Sequence, residues 1–178
     1  MAHSRIELDQ WYDLYIDELF AFGMAFGQEK DFVLDAIHDL FLHLLESADK
    51  IEILGSPKSY LFCALKNKII TSCRNRTDWC RLDEEYDYDF KIEVNAGTLM
   101  EDEEERISYE QELENLLKLL TNKQREVIYL RFIQGLSVQE ISEILNITPK
   151  SVRRMTYRAI ERMQQSRLGI LFLLFYSI

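Results

Sequence analysis

An all-α fold, organised as two small helical domains joined by an acidic flexible linker, is what this 178-residue sequence predicts, and three observations carry the prediction. Only 2 prolines and 6 glycines occur in the chain, too little turn chemistry for a strand-rich sandwich or barrel. Apolar residues recur at three- and four-residue steps, and at 47% of the chain they suffice for packed cores. The charge is partitioned as well. Residues 1–82 carry 9 basic and 13 acidic side chains, 83–105 carry 1 and 11, and 106–178 carry 11 and 7, so a net charge of -10 accumulates in the middle segment alone.

The first helix is expected over 8–26, where Leu8, Trp11, Leu14, Tyr15, Leu19, Phe22 and Phe26 share one face and Asp9, Asp13 and Asp17 lie on others. Residues 30–46 repeat the pattern with Val33, Leu34, Ile37, Phe41, Leu44 and Leu45, and Asp31 is placed to cap them. Ser56-Pro57 reads as an N-cap followed by proline at the first helical position, opening a third helix to residue 76. Residues 83–105 hold no sustained periodicity and contain Asn95-Ala96-Gly97, so they read as a self-repelling linker. Such an anionic strand is either a solvated spacer or an imitation of a phosphate backbone that enters a basic channel on a partner.

Beyond the linker, a helix through Glu110–Leu120 stops before Thr121, which caps the next helix bearing Val127, Ile128, Leu130, Arg131 and Phe132. Gly135 stands where a left-handed stop belongs. Ser137 and Glu140 then form a capping box ahead of Ile141, Ile144 and Leu145. After a short turn at Asn146-Ile147, Thr148-Pro149 opens a last helix with Val152, Met155, Ala159 and Ile160 apolar. Two helices across a tight turn, the second bearing Lys150, Ser151, Arg153, Arg154, Tyr157 and Arg158, make a helix-turn-helix signature. Arg153, Arg154 and Arg158 suit base edges and phosphates, while Lys150 and Ser151 lie at the helix start, where backbone amides favour an anion.

Other chemistries find no support. Cys63, Cys73 and Cys80 are odd in number and lack zinc-site spacing, so reduced thiols and no metal are expected. His38 and His43 are five apart and do not stack as a metal pair, and no Gly-rich phosphate loop or nucleophile elbow occurs. A non-enzyme without cofactor or small-molecule substrate is expected. With no signal-peptide core and no membrane-length apolar run, a cytoplasmic location is expected too. The apolar tail 169–178 is too short to span a bilayer, and it is expected to pack on the protein, to pair with another chain, or to occlude a binding face.

The stretch LTNKQREVIYLRFIQGLSVQEISEILNITPKSVRRMTYRAIERMQQ, 120–165, resembles the promoter-binding region four of bacterial RNA polymerase sigma factors. DAIHDLFLHLLE, 35–46, and YLFCALKNKIITSCRNR, 60–76, resemble region two of the small extracytoplasmic-function group. Asn122, Ser142, Thr71 and His38 depart from the group's usual proline, alanine, aspartate and glutamine. The resemblance implies a region-two domain at 1–82, the linker at 83–105, and a region-four domain at 106–168 that reads the −35 element. By the same resemblance Lys66, Asn67, Lys68, Arg74, Asn75 and Arg76 capture single-stranded −10 bases, with Trp79 as a stacking candidate, and Asp35, His38, Asp39 and Leu42 meet the clamp helices of the polymerase. The implied partners are core RNA polymerase, promoter DNA and an anti-sigma factor, often membrane-anchored in this group. The alternatives are a helix-turn-helix regulator that is not a polymerase subunit, or a helical interaction protein with degenerate DNA binding.

Overall fold

The computed structural model describes residues 5–47, 56–76, 88–92 and 103–164, and the chain divides into two compact units, Met1–Asp89 and Phe90–Ile178. Its elements are α1 (Arg5–Met24), α2 (Lys30–Glu46), α3 (Pro57–Arg76), α4 (Glu103–Lys118), α5 (Asn122–Ile128), a π-helical turn (Tyr129–Ile133), α6 (Val138–Ile144) and α7 (Pro149–Met163). Among the described residues no strand occurs.

In the first unit α1, α2 and α3 pack against one another in all three pairings. Leu19 and Phe22 of α1, Val33, Ile37 and Leu44 of α2, and Leu61, Phe62, Leu65 and Ile69 of α3 are fully buried, each worth about 1.5–3 kcal/mol in apolar transfer. Phe22 and Phe62 stack with centroids 4.8 Å apart at 35°. Gly23 lies at a close approach of α1 to α2, since a Cβ there would fall 2.4 Å from Val33 Cγ1. The Ser56 Oγ accepts from the Ser59 amide at 3.3 Å and starts α3 ahead of Pro57, as its sequence requires. Asp31 is not the cap of α2. Glu29 holds the N-cap position without a side-chain bond, and Asp31 sits in the first turn, where its charge favours the helix dipole.

The second unit corrects the linker boundary. Helix α4 begins at Glu103, so the last acidic residues assigned to the linker start a helix instead. Carboxylates there meet the positive end of the helix dipole, which favours in a first turn what disfavours a helix interior. Thr121 and Gln124 form a reciprocal capping box at α5. The expected single helix through Phe132 is interrupted: from Tyr129 it widens into a π-turn, closed by the Gln134 amide on the Tyr129 carbonyl at 3.0 Å. Gly135 follows at φ +68°, the left-handed geometry that a glycine adopts without steric cost.

Ser137 caps α6, its Oγ accepting from the Glu140 amide at 3.2 Å while Glu140 Oε2 takes the Ser137 amide at 2.8 Å. Ser137→Ala is expected to lower the second unit's unfolding midpoint by roughly 4–8 °C, about 1 kcal/mol, with Ser137→Asp close to wild type in the same melt.

Candidate nucleic-acid interface

The α6–α7 turn is built by local chemistry. Asn146 takes φ +51°, a left-handed conformation that its short amide tolerates, and the Ile147 amide reaches back to the Ser142 carbonyl at 3.0 Å. Thr148 then caps α7, its Oγ1 accepting from the Ser151 amide at 3.2 Å, with Pro149 in the first turn. Buried Val152, Ala159 and Met163 hold one side of α7 against α5 and α6. The opposite side carries Lys150, Arg153, Arg154, Tyr157 and Arg158, all exposed, and Tyr157 is 68% accessible.

Those four basic side chains make no hydrogen bond or ion pair with another described residue. Arg154 and Arg158 are one turn apart, as are Arg153 and Tyr157, so the helix presents a row of guanidiniums flanking an aromatic ring. Ser151 is half-buried, and its hydroxyl is 3.0 Å from Thr148 Oγ1, engaged in the cap itself.

In the first unit the −10 candidates with described side chains, Lys66, Asn67, Lys68 and Arg74, do not form one open basic patch. Lys66 is buried, with Nζ 3.4 Å from the Tyr88 hydroxyl and 5.7 Å from the centroid of its ring, which in turn packs on Phe26. Lys68 is ion-paired to Asp39 at 3.0 Å, joining a −10 candidate to a polymerase candidate on the neighbouring helix. Asn67 is exposed and donates from Nδ2 to Cys63 Sγ at 3.6 Å, and Arg74 is exposed. Asn75 and Arg76 close α3, and Trp79 lies outside the described residues, as do Cys80 and the tail. Burial, with charge on the nearby Cys63 thiol adding to it, raises the Tyr60 phenol above its ordinary value, so this α3 side chain stays protonated.

Asp35, His38, Asp39 and Leu42 are exposed along one face of α2. Beside them lies a groove of about 210 Å³, where His38 and Leu42 are joined by Leu8, Asp9, Tyr12, Phe41 and Leu45. Tyr12 meets Phe41 edge to face at 5.0 Å, leaving Leu42 48% and Leu45 37% accessible. The sequence places Leu8 and Leu45 on apolar helix faces and does not single out Tyr12, because periodicity marks a face as apolar without saying whether another helix covers it.

Asn122, the departure from a proline, uses an atom proline lacks: its Oδ1 accepts from the Phe90 amide at 3.3 Å and from Arg125 Nη2. Among the described residues no helix is long and apolar enough to cross a membrane, and no group of three His, Cys, Asp or Glu side chains is placed to hold a metal ion.

Comparison with known proteins matches residues 110–163 to the family "Sigma-70, region 4", a span that runs from within α4 to the end of α7. The ECF RNA polymerase sigma factor SigX of Bacillus subtilis is 27% identical over 157 residues, covering 86% of this chain and 80% of SigX. Among solved structures, the sigma factor RpoE of Bartonella quintana, in complex with the anti-sigma factor NepR, superposes with a TM-score of 0.63 at 20% identity, covering 89% of this chain and 95% of that one. CnrH, in complex with the cytosolic domain of CnrY, gives 0.58 at 20% identity, over 94% of this chain and 88% of that one. A region-four match thus lies on the capped helix pair, and similarity to SigX runs through both units, so the chain is similar to the extracytoplasmic-function sigma factors along most of its length.

Proposed function

We propose that α7 reads the −35 element through Lys150, Ser151, Arg153, Arg154, Tyr157 and Arg158, and the observation that carries this is its exposed row of arginines with no bond to another described residue. A rigid, capped helix start places the first two turns for the major groove, where guanidiniums recognise guanine edges and phosphates. Ser151 contributes through the cap rather than by a free hydroxyl.

The α3 surface and the residues after it engage the −10 strand, with Asn67 and Arg74 as its exposed contacts and Lys66 supporting the helix from beneath Tyr88. The exposed α2 face of Asp35, His38, Asp39 and Leu42, with the adjoining groove, docks on core RNA polymerase. The protein itself performs no catalysis and takes no cofactor; it acts in the cytoplasm, where the polymerase and the promoter are its partners. The neighbouring structures that hold NepR and CnrY support an anti-sigma factor as a third.

Run-off transcription with purified core polymerase on a pooled promoter library tests this reading. Start sites that require the protein support it, and duplex binding without association to core enzyme overturns it in favour of a free-standing regulator. In the same assay Leu42→Asp, at an exposed position, is expected to weaken association with core polymerase about ten-fold without lowering the melting temperature, because a carboxylate enters an apolar contact.

A further inference from the structure

Five basic side chains stand along α7, and the last of them is placed unlike the rest. Arg162 Nη1 donates to the Leu119 carbonyl at 3.2 Å and to Gln124 Oε1 at 2.8 Å. Both acceptors are helix-terminal groups. Leu119 directly follows α4, where carbonyls lack intrahelical donors and a cation meets the negative end of the dipole. Gln124 Oε1 also accepts from the Thr121 amide at 3.1 Å, the bond that closes the α5 capping box.

One guanidinium therefore joins the end of α4, the start of α5 and the last turn of α7. Among the described residues, no other hydrogen bond ties α7 to an element beyond the turn that precedes it. The apolar contacts of Ala159 and Met163 press the helix onto the unit but, being non-directional, leave its angle poorly determined. Arg162 lies eight residues from Arg154, roughly 12 Å along the axis, so a small rotation at the anchored end moves the reading end across a base-pair step.

We propose that Arg162 is a positioning residue for promoter reading: it fixes the angle at which α7 presents Arg153, Arg154 and Arg158 and makes no phosphate contact of its own. This rests on α7 being the DNA-reading helix. A basic residue on a recognition helix is ordinarily counted among the phosphate contacts, and the two assignments differ in a measurable way. A phosphate contact contributes about 0.9 to the slope of log affinity against log salt and acts on every sequence alike. A positioning residue changes discrimination between sequences and leaves that slope unchanged.

The experiment uses the full chain, a duplex carrying a start-site promoter recovered by run-off, and a random-sequence duplex, with anisotropy titrations over a range of salt. Arg162→Met is expected to weaken promoter-duplex binding about ten-fold, with random-duplex affinity and salt slope as in wild type. Arg162→Lys, which reaches one of the two oxygens, is expected to recover part of the discrimination. Gln124→Met is expected to reproduce the loss, and the double variant to fall short of the sum of the two. Melting curves establish that each variant is folded at the assay temperature; if Arg162→Met is not, the Lys variant and the Gln124 variant carry the test.

A slope reduced by about 0.9 in Arg162→Met, with both duplexes weakened equally, would assign Arg162 to phosphate and overturn the proposal. Unchanged discrimination in the folded variant overturns it as well. If the wild-type chain does not distinguish the two duplexes, the assignment of α7 as the reading helix fails, and that failure is visible before any variant is made.

Discussion

Replacing Arg154 and Arg158 together with alanine is expected to lower promoter-dependent initiation by at least about thirty-fold while leaving the melting temperature of the protein unchanged. The magnitude follows from the contacts assigned to them. An arginine reading a base edge or phosphate contributes about 1–3 kcal/mol, and even the lower figure, taken twice, gives that ratio. Both side chains are exposed and hold no bond to a described residue, so their removal opens no cavity and strands no buried partner. The salt slope of duplex binding is expected to fall by up to about 1.8 if both meet phosphate, and by less for each that reads a base instead. Wild-type initiation from the double variant would remove α7 from the reading of DNA.

The second large effect concerns the scaffold. Gly23→Ala is expected to destabilise the first unit by about 1–3 kcal/mol, which reverses the usual sign for this exchange within a helix. Alanine ordinarily stabilises a helix interior over glycine by about 0.8–1 kcal/mol. Here the added methyl would lie 2.4 Å from Val33 Cγ1, and the β-branched Val33 is buried and stiff at χ1, so one helix must move away from the other. Thermal melts of the single variants and of Gly23→Ala with Val33→Ala decide it. The pair is expected to be more stable than the sum of its parts by about 0.5–3 kcal/mol, since removing Cγ1 makes room for the methyl. A stabilised Gly23→Ala would show that α1 and α2 accommodate the methyl without cost. Because α2 carries Asp35, His38, Asp39 and Leu42, displacement of this helix pair is also expected to weaken association with polymerase.

Local chemistry was legible in the residues themselves. The Ser56, Thr121, Ser137 and Thr148 caps, the left-handed Gly135 and the turn at Asn146 depend on neighbours within a few positions, so the chain's order specifies them without reference to the fold. The helix-turn-helix was readable for that reason, and so was its exposed basic face, since arginines opposite buried Val152, Ala159 and Met163 have nowhere to point but solvent.

Features that depend on residues distant in sequence were decided by the tertiary structure. Lys66 reads as a free cation until Tyr88, twenty-two positions later, closes over it. Lys68 and Asp39 belong to separate proposed surfaces until α2 and α3 pack and pair them. The groove beside Leu42 exists because α1 and α2 pack with Tyr12 and Leu45 partly uncovered, and Arg162 finds its acceptors thirty-eight and forty-three residues away. The helical pattern states which face of each helix is apolar or charged, but whether that face is covered, paired or left open depends on which other helix lies on it, and only packing determines that.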